Sequence, residues 1–188
     1  MSIIDYKKFI QGLSESLDTS NIKIRWIDKV NRLIGLFDVG NNTYQLDFNL
    51  TGDVWSYKFY LAKKVDSTII LSPDATGIET DKYKVLSMSK SGILYIIENK
   101  KPNAIIFSAI NETESKRIKI GEQELTKRQH IYLMLVEQIP ELFPDYTYDI
   151  ENIEGNQIYI VYKKELDNQS YTNSNIQKVI SNYITNFN

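Results

Sequence analysis

At 188 residues, 42% hydrophobic and 24% charged, the chain sits near the globular average and has the length of a single domain, one that buries roughly 70% of its unfolded surface. It has no cysteine, which excludes a disulfide framework, a thiolate nucleophile and any Cys-ligated metal or cluster. Its 22 Lys and Arg against 24 Asp and Glu leave a net charge of −2, so no overall field draws in a polyanion and nucleic acid is not an expected partner.

Along the chain, Tyr6, Phe9, Ile10, Leu13 and Leu17 recur at helical spacing and predict an amphipathic helix from about 4 to 17. The acid and lysines of Asp5-Tyr6-Lys7-Lys8 stand where a signal peptide would be apolar, so secretion is not expected. From Ile22 the period becomes two, predicting strands over Ile22–Ile27, Arg32–Val39, Thr43–Leu50 and Val54–Leu61. Gly40-Asn41-Asn42 and Thr51-Gly52-Asp53 supply turn residues, so the second to fourth strands form an antiparallel meander. Tyr44, Leu46, Phe48 and Leu50 share one face of the third strand; Trp55, Tyr57, Phe59 and Leu61 share one face of the fourth.

A short strand over Thr68–Leu71 runs into the loop Ser72 to Gly77. Val85, Leu86, Ser89, Ile93, Ile96 and Ile97 mark a helix over about 83–99, weakened by Gly92 and closed by Lys100-Lys101-Pro102. Asn103–Ile110 contains Ala104-Ile105-Ile106-Phe107, apolar on both sides, and is expected in the middle of the sheet. A polar segment, Asn111–Lys119, precedes a second helix over about 124–139 that ends near Pro140. Tyr146–Ile150 and Gln157–Lys163 form a hairpin around Glu154-Gly155-Asn156, and Ile176, Val179, Ile180, Tyr183 and Ile184 mark a last helix behind Ser174. The expected architecture is one α+β domain over 1–188. A largely antiparallel twisted sheet carries amphipathic helices, with helices at both ends of the chain. The longest apolar run, Ile131 to Val136, falls far below the ~20 residues of a membrane span.

Candidate chemistry is sparse. His130, the one histidine, has a pKa suited to general base work. Yet it has no Ser-centred elbow and no second ligand at helical spacing, so a surface or capping role is favoured. Glu112 and Glu114, with Glu122 and Glu124 beyond, offer carboxylates to a divalent ion or a glycosidase pair; a charged connection between strand and helix is the simpler account. Walker and three-glycine dinucleotide patterns are missing, and no cofactor or metal is expected. Four basic doublets, Lys63-Lys64, Lys100-Lys101, Lys127-Arg128 and Lys163-Lys164, stand at element ends and would form a phosphate-contacting patch only if the fold gathered them. The one compositional excess is aromatic, with 13 tyrosines. Most cover strand faces. Tyr95 and Tyr132 on the helices and the loop group Tyr146, Tyr148 and Tyr171 are left as candidates for a partner surface.

Lys101-Pro102-Asn103-Ala104-Ile105-Ile106-Phe107-Ser108-Ala109, followed by Arg128-Gln129-His130-Ile131-Tyr132-Leu133-Met134-Leu135, resembles a loose group of small phage-encoded α+β proteins. These carry a helix, a P-x-x-I-x-F-x-A strand, a charged stretch and a helix with Arg and Tyr four apart. The likeness covers residues 83–150, and the longer insert between Ala109 and Arg128 departs from it. The resemblance implies a phage source and an accessory or particle-associated role, and it carries over no catalytic residue. The expected function is a non-enzymatic interaction module, in a host cytoplasm or a virion, that docks onto other proteins or copies of itself. The alternatives are an inhibitor or sequestering protein for a host enzyme or small ligand, and a small metal-dependent hydrolase or nuclease using Glu112, Glu114 and His130.

Overall fold

The computed structural model describes residues 22–65, 68–73, 82–109, 118–120, 123–153, 156–166 and 176–181. The predicted helix over 4–17, the Ser174 cap, Gly155 and the acidic pair Glu112 and Glu114 lie outside these residues. Ten strands are described: β1 (Arg25–Lys29), β2 (Arg32–Val39), β3 (Asn42–Thr51), β4 (Val54–Val65), β5 (Thr68–Pro73), β6 (Ala104–Ala109), β7 (Ile118–Ile120), β8 (Gln123–Leu125), β9 (Tyr146–Ile153) and β10 (Asn156–Lys163). Two long helices, α1 (Lys82–Lys100) and α2 (Lys127–Leu142), flank β6 in sequence, and residues 176–181 are helical.

The main sheet runs β1-β2-β3-β4-β6-β10-β9, antiparallel except for the β4–β6 pair. The expected meander is present and extends to β1. Its β2–β3 and β3–β4 loops are each two residues long, with Gly40 at φ 60° and Gly52 at φ 64° in the first loop position. That is the turn whose twist suits a right-twisted hairpin.

The period-two pattern sends alternate side chains to two cores. On one face Leu33 and Phe37 of β2, Tyr44, Leu46 and Phe48 of β3, and Trp55, Tyr57, Phe59 and Leu61 of β4 join Ile105, Phe107, Tyr159 and Val161 under α1 and α2. The register sets Leu46 opposite Phe59 and Phe48 opposite Tyr57, so the two aromatic rows read from the sequence do meet. On the other face, Val54, Ala104, Ile106, Ile158, Ile160 and Tyr162 pack with Ile176, Val179 and Ile180 of the last helical segment. β6 is thus covered on both sides, as an apolar central strand must be.

Three details differ from the sequence reading. Gly92 is a close-packing position: a Cβ there would come within 2.5 Å of Leu46 Cδ1, so a glycine lets α1 lie on β3. Pro140 does not end α2, which runs on to Leu142; the last turn is held by the Phe143 N–H donating to the Ile139 carbonyl at 2.7 Å, and Ile139 is fully buried. The segment expected to be an irregular connection ends in the small β7–β8 hairpin, paired Ile118 to Leu125. Among the described residues no helix is long and apolar enough to cross a membrane.

Candidate functional site

Three of the buried polar residues, Thr126, Gln129 and His130, gather where α2 begins, while Asp47, Ser89 and Ser108 lie on β3, α1 and β6. Thr126 caps the helix through a reciprocal pair of bonds: the Gln129 N–H donates to Thr126 Oγ1 at 3.2 Å, and the Thr126 N–H donates to Gln129 Oε1 at 2.8 Å. The Gln129 carbonyl in turn accepts from the Tyr159 hydroxyl at 2.7 Å, which also lies 2.7 Å from Gln157 Oε1 and shares its proton between the two acceptors. Thr126, Gln129 and His130 are each at most 5% exposed. This network joins the N-terminus of α2 to β10, and the T-x-x-Q pattern ahead of an apolar run is a sequence signal for it.

His130 is therefore interior, not a surface or capping residue. Burial pushes its imidazole below the ordinary 6.5, toward the neutral form. Among the described residues no group of three or more His, Asp or Glu side chains is placed to hold a metal ion.

The tyrosines divide. Tyr132 is 2% exposed and sets its ring edge-on to Phe107 at 5.2 Å and Tyr159 at 5.8 Å, so it is a core residue and not a partner surface. Tyr146 is also buried, its hydroxyl donating to the Pro102 carbonyl at 2.8 Å, and desolvation with nearby Asp145 and Glu165 pushes it up to about 12. Tyr95 stacks on Trp26 at 4.2 Å, and both Tyr95 and Tyr148 are half-buried against the main core. Tyr171 lies outside the described residues. With Tyr132 and Tyr146 buried, the four described candidate tyrosines do not form one surface.

Among the described residues, exposed large apolar side chains occur at Ile27 of β1, at Val30, at Leu142 and on β5, and the last two mark distinct features. The first is a groove of about 570 Å³ where the C-terminal ends of α1 and α2 approach β10. Ile97, Leu142, Phe143 and Tyr146 give it an apolar wall; Lys101, Lys163 and Lys164 stand against Glu98, Asp145 and Glu165. Two of the four basic doublets thus contribute to one place, but three carboxylates balance them, so no phosphate patch results. Lys101 sits at φ 47°, just past the end of α1, a left-handed conformation that costs a non-glycine residue roughly 1–2 kcal/mol.

The second is the far end of β4. β3 accompanies β4 only as far as Ala62, while β5 pairs with Tyr60 through Val65, so the last residues of β4 continue with β5 as a two-stranded ribbon. β6 occupies the same edge of β4 at its other end, over Val54–Ser56. On β5, the neighbours Ile69 and Ile70 point to opposite faces and are 66% and 49% exposed.

Comparison with known proteins finds no matching family model, no curated protein at significant similarity and no solved structure at significant similarity.

Proposed function

We propose that the protein is a docking module that works by contact with other proteins through the β4–β5 ribbon. One observation carries this reading: among the described residues β5 is an edge strand, and it exposes apolar side chains on both faces. Isolated two-stranded ribbons are marginal in water, and an uncovered apolar edge is a template for strand addition. The likeness of residues 83–150 to small phage-encoded proteins supports a role in or on a particle, where one copy docks on its neighbours.

The test is a photo-reactive side chain placed at position 70, and at exposed Asn152 of β9 as control, in the native source material. Docking through the ribbon gives a discrete protein adduct from position 70 and none from position 152. Equal labelling at both positions, or none at position 70, refutes it.

The groove favours a second reading, sequestration of a small amphipathic ligand, because an apolar wall meets both signs of charge around exposed Leu142. A thermal-shift screen of alkyl acids and alkyl amines tests it. A ligand-induced rise in Tm that Leu142→Glu removes is the expected result; a flat screen rejects this reading.

A further inference from the structure

The outer strands of the sheet differ in how they are guarded. β1 carries Arg25, Asp28 and Lys29, and β9 carries Asp149 and Glu151. Charge of this kind is the usual protection of an edge against another edge. β5, with the sequence Thr68-Ile69-Ile70-Leu71-Ser72-Pro73, carries none.

Its pattern is also symmetric about Ile70. Read outward from that residue, Ile69 corresponds to Leu71 and Thr68 to Ser72. If two such strands lie antiparallel about a two-fold axis through Ile70, Ile70 meets its own copy, Ile69 meets Leu71, and Thr68 meets Ser72. Every apolar residue then faces an apolar one on both faces of the ribbon, and the polar residues pair at the two ends. A two-fold contact requires this self-complementarity, because the same patch must serve on both partners. Pro73, which has no N–H to donate, marks where the pairing stops.

Like-with-like pairing is disfavoured at β9, where Asp149 and Glu151 add acid to acid. β5 itself carries no charge, and the nearest among the described residues, Lys63 and Lys64, lie one strand away on β4, in register with Ile70 and Ile69 and across β5 from its pairing edge. Resting on the docking reading above, we infer that the partner of the β4–β5 ribbon is a second copy of this chain. Two β5 strands pair antiparallel about Ile70 and join the main sheets of the two copies edge to edge through their ribbons.

Sedimentation velocity over a wide concentration range tests this on the full chain. Wild type is expected to be a reversible dimer. Ile70→Lys sets two ammonium groups against each other at the axis and weakens association at least ~10-fold. Ile70→Glu weakens it similarly, whereas an equimolar mixture of the Lys and Glu variants regains a dimer. Circular dichroism of each variant, matched to wild type, separates lost association from lost folding. A wild type that stays monomeric, or charge variants that do not restore each other when mixed, overturns the inference.

The position-70 adduct separates this outcome from the broader one. An adduct of two copies of this chain supports the dimer. An adduct with a different protein overturns the dimer and leaves the docking arm standing. A monomer with no adduct removes both.

Discussion

Replacing Thr126 by Val tests whether the polar network at the start of α2 stabilises the fold. Valine keeps the branched shape and removes Oγ1, so the Gln129 N–H loses its acceptor in a site where Thr126 is 2% and Gln129 5% exposed. Loss of an N-cap side chain costs ~1 kcal/mol in ordinary settings. Water cannot reach this N–H, so the penalty for an orphaned buried donor, ~1–3 kcal/mol, sets the scale, and ~2 kcal/mol is expected. At this chain length that is a fall in Tm of about 4–8 °C. Thr126→Ser keeps the acceptor and loses one methyl group, a cost of ~1 kcal/mol. Urea unfolding followed by circular dichroism measures both. Gln129→Met removes the acceptor of the Thr126 N–H while leaving Thr126 Oγ1 on the Gln129 N–H, so it should cost ~1–3 kcal/mol by itself. If Thr126→Val costs no more than Thr126→Ser, or Gln129→Met costs nothing, the cap is not the anchor of this helix.

Gly92→Ala should destabilise by ~1–3 kcal/mol in the same unfolding assay. The added Cβ meets Leu46, which is fully buried, and the overpacking outweighs the ~1 kcal/mol that alanine gains in helix propensity. Stability should also fall at both ends of the pH scale, read as urea midpoints. His130 is lowered by burial, so the unfolded chain binds the extra proton first and stability declines as pH drops below about 6.5, an effect His130→Gln should reduce. Tyr146 and Tyr159 are raised, chiefly by desolvation, so the unfolded chain ionises first and stability declines as pH rises above about 10.

Much of the fold is legible because its signals are local. Gly40 and Gly52 fix two hairpins, alternation fixes which faces of β3 and β4 turn inward, and the unbroken apolar run of β6 places it between two layers. Residues whose environment depends on long-range register are harder to read. Tyr132 stands within the apolar run Ile131 to Val136, which has no polar residue to orient the helix. Only the approach of Phe107 and Tyr159 from two other strands makes it interior. His130 follows from a related cause: it closes the polar run Lys127-Arg128-Gln129-His130, and only the Thr126 cap with Gln129 three residues on signals a first turn of α2 in which Gln129 and His130 are buried. Gly92 reads as a weak point because helix propensity is local, while Leu46, its reason for being glycine, lies 46 residues away on β3.

The exposed isoleucines show the same limit on a surface. A run such as Thr68–Leu71 announces a strand and says nothing of whether it is central or at an edge. β4 decides that, by being longer than β3 and by giving one end of its free edge to β6 and the other to β5. Had β6 paired along the whole of β4, β5 would have no place in the sheet. Because β6 pairs with only three residues, the remainder of β4 is left to recruit β5, and among the described residues β5 keeps a free edge of its own. The same short parallel contact that joins the two halves of the sheet thus leaves the uncharged strand exposed, and a substitution that lengthened the β4–β6 pairing would compete with the ribbon for one edge.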